Sequence, residues 1–148
     1  MLQVLNLNKT SLRAESEVIA KGLVESNVKL RILSVNANQI ENQGAIAFAE
    51  YLRQINTLEI LNMSCNNISD EGFEELFESM KPSAESEKLR EINISENWIE
   101  SGNVVNALTE LMGLLKGLKS LNISKLEIAK KKHQDKIIQC LCNAPFTG

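Results

Sequence analysis

The chain has 148 residues, enough for one domain with its own core, and its 43% hydrophobic and 24% charged content is that of a folded globular protein, which excludes a disordered chain. No run of about 18 apolar residues is present to span a bilayer, and the opening MLQVLNLNKT lacks the basic start and apolar block of a signal peptide; the expectation is a cytoplasmic or nucleocytoplasmic protein with no membrane partner. The net charge of −3 is uneven, because residues 116–136 hold seven Lys against Glu127 and Asp135, and without a basic stripe flanked by aromatics nucleic acid is excluded as a partner.

Along the chain one pattern recurs: LQVLNLNKTSL from Leu2, LRILSVNANQI from Leu30, LEILNMSCNNI from Leu58, LREINISENWI from Leu89 and LKSLNISKLEI from Leu118. The starts are separated by 28, 28, 31 and 29 residues, and each copy reads L-x-x-L-x-L-x-x-N-x-L with Ile, Val or Met allowed at the Leu positions. This is the leucine-rich-repeat signature, and five copies in register make it specific.

The spacing predicts a short strand in each unit, with Leu61 and Met63 turned into the core and Asn62 and Ser64 turned outward. A turn then leaves backbone groups unpaired, and an Asn side chain carries both the donors and the acceptor to satisfy them, so Asn38, Asn66 and Asn97 are expected to form a buried ladder. Thr10 takes that position in the first copy and Leu126 in the fifth, where the ladder should end.

Helical periodicity follows each turn. Ala45, Phe48, Ala49 and Leu52 recur at i, i+3, i+4 and i+7, as do Phe73, Leu76, Phe77 and Met80; Val104, Ala107, Leu108 and Leu111 continue the series, and Ile19, Ala20 and Leu23 begin it. No strand–helix pair buries its own apolar face, so neighbours must stack, which predicts an α/β solenoid with parallel strands on its concave side and helices on its convex side. KPSAESEK, with Pro82 and a polar run, reads as a surface loop. A capping helix is expected over about 129–142, with Ile137, Ile138 and Leu141 inward and a solvated basic face carrying His133. The whole, 1–148, reads as a single domain. Its first strand is uncapped, which points to a longer repeat protein or to self-association through that edge.

The outward strand positions form three columns: Val4, Ile32, Ile60, Glu91 and Ser120; Asn6, Ser34, Asn62, Asn93 and Asn122; and Asn8, Asn36, Ser64, Ser95 and Ser124. From these, Ile32, Ser34, Asn36, Ile60, Asn62, Ser64, Glu91, Asn93 and Ser95 are assigned to partner binding, although Asn and Ser could equally serve only to solvate a sheet face. Trp98 joins them as a binding anchor, its alternative being to pack on the neighbouring turn. No catalytic or metal-binding residue and no cofactor is assigned. Cys140 and Cys142 diverge on a helix and lack further ligands beside His133, and three cysteines without a disulfide framework suit a reducing compartment.

The units NQIENQGAIAFAEYLRQINTLEILNM and LREINISENWIESGNVVNALTELMGLLKGLKSLNIS resemble the ribonuclease-inhibitor class of leucine-rich repeats, and most of all Ran GTPase-activating proteins, over almost the whole chain. Members of that family commonly read G-R-N-R-L-E-N where this chain has NANQIEN; Asn38, Glu41 and Asn42 coincide, while Ala37 and Gln39 stand at the two arginines. Lys9 and Thr10 stand where members show an Asn pair implicated in catalysis, and a basic end replaces the acidic tail. The resemblance implies a protein partner of the Ran-type small GTPase class. The expectation is a non-enzymatic protein-interaction scaffold; the alternative is a GTPase-activating protein that positions its partner's own catalytic groups, with Asn36 and Asn38 as the local candidates.

Overall fold

The computed structural model describes residues 1–144. Strands β1 (Val4–Asn6), β2 (Ile32–Ser34), β3 (Ile60–Asn62), β4 (Glu91–Asn93) and β6 (Ser120–Asn122) form one parallel sheet in chain order, and β5 (Trp98–Ile99) pairs with β7 (Glu127–Ile128) as a second, two-stranded parallel sheet. Helices α1 (Glu15–Glu25), α2 (Glu41–Leu52), α3 (Asp70–Glu85), α4 (Gly102–Leu114) and α5 (Lys131–Cys142) stack along the other side. Neighbouring strands sit about 4.8 Å apart whereas packed helices need roughly 8–10 Å, so the strand side is the short inner arc and becomes the concave face.

Each unit's core residues are covered by the units on both sides. Leu33, Leu61 and Ile92 stand in register across the sheet and are at most 3% exposed, and they meet Phe48, Phe73 and Phe77 from the helices. Leu5 and Leu7 in the first unit and Leu121 and Ile123 in the last are only half-buried, because one side is uncovered. Small residues let the helices approach: a Cβ on Gly44 would lie 2.3 Å from Ser16 Oγ, and one on Gly72 would lie 2.8 Å from Ile68 Cγ2. Tyr51 is buried at the end of α2, where its hydroxyl donates to Val28 O (3.0 Å) and accepts from Leu30 N (3.1 Å), tying α2 to the approach to β2.

The turns after the strands depend on the asparagine ladder. Asn66 is fully buried; its Nδ2 donates to Val35 O (2.9 Å), Met63 O (3.1 Å) and Ser64 O (3.0 Å), and its Oδ1 accepts from Asn38 N (2.9 Å). Asn97 repeats the arrangement, donating to Met63 O and Ile94 O (both 3.1 Å) and accepting from Asn66 N (3.2 Å) and Ile68 N (3.0 Å). Asn38 accepts from Thr10 N (2.9 Å) and Leu12 N (3.2 Å). Each rung thus satisfies its own turn and the one before it. The ladder stops at Leu126, as its apolar side chain requires.

The ladder offsets a backbone cost. The residue before each rung, namely Ala37, Cys65 and Glu96, has φ between 54° and 56° although none is glycine, and Lys9 and Lys125, before Thr10 and Leu126 at the two ends, adopt the same conformation. That left-handed conformation is disfavoured by Cβ sterics and persists only where the surroundings over-determine it. One further ladder joins helix starts: Asn42 Oδ1 accepts from Ser69 N (2.9 Å), and the Asp70 carboxylate accepts from Glu100 N and Ser101 N (3.0 Å each).

Three expectations are corrected. KPSAESEK is helical over most of its length: α3 runs through Pro82 to Glu85, the proline costs the one hydrogen bond its missing N–H would have made, and Ser83 and Ala84 are buried. Ile138 faces solvent, 57% exposed. The inward stripe of α5 is instead His133, Ile137, Cys140 and Leu141, and His133 is buried against the first turn of α4, where a Cβ on Gly102 would lie 3.1 Å from its Nε2.

Asn66→Ala is expected to lower the free energy of unfolding by about 1–3 kcal/mol, since buried carbonyl and N–H groups lose their partners. Equilibrium urea denaturation followed by circular dichroism reads the change; an unaltered midpoint would mean that water satisfies the turn instead.

Candidate functional site

Val4, Ile32, Ile60, Glu91 and Ser120 stand in lateral register across the sheet, with Asn6, Ser34, Asn62, Asn93 and Asn122 in a second row beside them. Together they floor a shallow concave depression of about 310 Å³ lined by Ile32, Ser34, Ile60, Asn62, Glu91 and Asn93 among others. Asn36, Ser64 and Ser95 lie one layer further along, where the strands turn, and Trp98 lies on β5, away from this depression.

The expectation that the serines point to solvent is corrected. Ser34, Ser64 and Ser95 are 7%, 3% and 4% exposed. The backbone leaves the strand after Asn62 and Asn93, so strict alternation ends, and each following serine folds back on its asparagine. Ser64 Oγ donates to Asn62 Oδ1 (2.6 Å) and accepts from Asn36 Nδ2 (2.7 Å), and Ser95 Oγ donates to Asn93 Oδ1 (2.7 Å). Ser34 Oγ donates to Asn8 Oδ1 (2.8 Å).

A chemical asymmetry results. Backbone N–H groups of Ser64, Ser95 and Ser124 donate to Oδ1 of Asn62, Asn93 and Asn122 at 3.0–3.1 Å, which fixes the amide orientation, since an NH₂ group there would meet another donor. The oxygens are therefore engaged, and the NH₂ groups of these asparagines line the concave face. The face presents a row of hydrogen-bond donors, with half-buried Ile32 and Ile60 on one side and the exposed Glu91 carboxylate in the same column.

The residue-by-residue reading missed the charged rim at the start of the strands. Arg31 forks onto Glu59, Nε to Oε1 at 2.7 Å and Nη2 to Oε2 at 2.9 Å. The hydrogen bonds from Arg31 hold the Glu59 carboxyl below the usual carboxylate range, and Glu59 in turn raises Arg31. Both residues occupy the same place in successive units, so the repeat alignment carries that signal.

Of the positions that coincide with the activator motif, Asn38 is 1% exposed within the ladder and Asn42 is engaged with Ser69; Asn36, which stands at the motif's glycine, directs its amide at Ser64. Glu41 is exposed.

A family model described as "Leucine Rich repeat" matches residues 26–49 and 54–77, which take in the second and third strands, most of α2 and the first half of α3. The chain carries leucine-rich repeats. It also resembles RAN GTPase-activating protein 2 of Arabidopsis thaliana, to which it is 38% identical over 85 residues; that stretch is 57% of this chain and only 16% of the relative. The leucine-rich repeats thus account for the fold and make a protein-interaction scaffold the general reading of the concave face.

The Arg31–Glu59 fork makes a pH-dependent contribution. A carboxyl whose folded value is lowered adds stability above its unfolded value and loses it as pH falls through the folded value. Glu59→Gln is therefore expected to reduce stability modestly at neutral pH and not at all in strong acid, as read from urea midpoints of both proteins across pH. A pH-independent difference would assign the effect to packing.

Proposed function

We propose that this leucine-rich-repeat protein is a non-enzymatic scaffold whose concave face binds a partner protein through the donor row of Asn62, Asn93 and Asn122. The observation that carries the reading is the orientation of those amides, whose oxygens are spent on the following turn. Such a row suits a partner segment rich in acceptors, either backbone carbonyls or carboxylates, flanked by an apolar group to cover Ile32 and Ile60. The outer edge of β1, with Leu2 and Val4 about half exposed beside it, supports self-association of the chain as an additional contact.

A second reading, activation of a Ran-type small GTPase, is favoured by the 38% identical stretch. In that reading Asn36 is the residue to test, because Asn38 is enclosed in the ladder and its removal would perturb the fold.

One experiment separates the two. A GTP-loaded Ran-type GTPase is mixed with the protein, and phosphate release and complex formation are followed together. The scaffold reading expects no acceleration of release, and it expects that any complex formed weakens in Asn62→Asp/Asn93→Asp, which replaces donors with acceptors. Accelerated release that disappears in Asn36→Ala would place the activator reading first.

A further inference from the structure

The fourth and fifth units depart from the first three at one turn. In the first three, the residue after the rung position, Ser11, Gln39 or Asn67, is left-handed with φ between 53° and 57°. At the equivalent Trp98 and Glu127 the backbone is extended, and the two pair across β5 and β7. A bulky side chain resists the left-handed conformation, so Trp98 and the change of turn belong together. At the step between the two turn geometries lies an open depression of about 330 Å³ formed by Asn67, Ile68 and Ser69 on one side and Asn97, Trp98 and Glu127 on the other.

Trp98 does not serve the core. It is 47% exposed, whereas Phe48, Tyr51, Phe73 and Phe77 are at most 1% exposed. Its backbone is nevertheless held in place: the Trp98 backbone N–H donates to Ile68 O (3.0 Å), the Glu127 backbone N–H donates to Asn97 O (2.9 Å), and the flanking Asn97 and Ile99 are 5% and 0% exposed. An indole on a fixed backbone has only two side-chain torsions left to order when it binds.

Carboxylates stand nearest Trp98 in the chain, while Lys125 and Lys130 lie two and three residues from Glu127. Glu127 lines the depression, and Glu96 and Glu100 flank Trp98 in the chain. Lys125 lies 4.0 Å from Glu96, while Glu100 and Glu127 make no ion pair among the described residues. A nearby indole face with an unpaired carboxylate selects for a cation, and a planar guanidinium satisfies both, stacking on the ring while forking onto the carboxylate.

We propose that the depression lined by Trp98 and Glu127 receives an arginine side chain from a basic segment of a partner protein, at a surface separate from the concave face and independent of what that face binds.

Trp98 is the chain's one tryptophan, so its fluorescence reports on the site. The probe is a short peptide of alternating Gly and Arg, titrated at low ionic strength, with a Gly–Lys peptide of equal length beside it. Saturable fluorescence change is expected with the arginine peptide, and weaker binding with the lysine one. By calorimetry, Glu127→Gln and Trp98→Leu should each weaken the arginine peptide about two- to fivefold, the range for exposed ion pairs and cation–π contacts, while Glu25→Gln on the distant α1 leaves it unchanged. Glu127 is exposed, so its variant tests the site without touching the core. The proposal is overturned if the arginine peptide gives no saturable signal, if the lysine peptide binds as tightly, or if Glu127→Gln has no more effect than Glu25→Gln.

Discussion

In the inner units of this protein the chain must turn inside a stack where water cannot reach, and the buried asparagine of the turn, Asn38, Asn66 or Asn97, is what makes that possible. A turn after a strand strands carbonyl and N–H groups, each of which costs about 1–3 kcal/mol if left unpaired in the interior. Asn38, Asn66 and Asn97 meet that demand with one side chain apiece, reaching both their own turn and the preceding one. Because each rung spans two units, the turns cannot be satisfied one at a time. Repeat spacing, strand register and the left-handed residues before each rung all follow from that shared constraint.

The same economy shapes both exposed surfaces. On the concave face a second set of asparagines, Asn62, Asn93 and Asn122, gives its oxygens to the next turn and so turns its NH₂ groups outward. A face that by composition is merely polar becomes, by geometry, a donor face. At the turn edge, the extended backbone at Trp98 and Glu127 replaces the left-handed step of the first three units just as the ladder approaches its end at Leu126. Function on a repeat scaffold of this kind is carried by departures from the repeat and by leftover hydrogen-bonding capacity, since the regular positions are consumed by stacking.

The periodicities carried most of the fold. Alternation of period two set the three columns, and the 3.6-residue pattern placed Phe48, Phe73 and Phe77 in the core, because both depend only on which face is buried. What escaped them depends on where an element stops or on a partner far along the chain. Ser64 sits beyond the end of β3, so alternation extrapolated it to the wrong side. Pro82 reads as a breaker in isolation, but the burial of Ser83 and Ala84 beside it, which holds the segment in α3, depends on stacking against the rest of the fold. In α5 the apolar letters suggested Ile138, whereas the true phase is set by His133, a polar residue whose burial against Gly102 no local pattern announces. The engagement of Asn36 by Ser64, 28 residues away, is visible only once the units are stacked.

The central claim is that side-chain oxygens of the ladder, and not water, hold the turn amides. Amide hydrogen exchange at Thr10, Leu12, Asn38, Asn66 and Ile68, whose N–H groups donate to Asn38, Asn66 or Asn97, tests it most directly. The account requires the central three, Asn38, Asn66 and Ile68, to exchange as slowly as the strand amide of Leu61, opening only with the whole stack. Exchange of those three at the rate of exposed surface amides, while Leu61 stays protected, would contradict it.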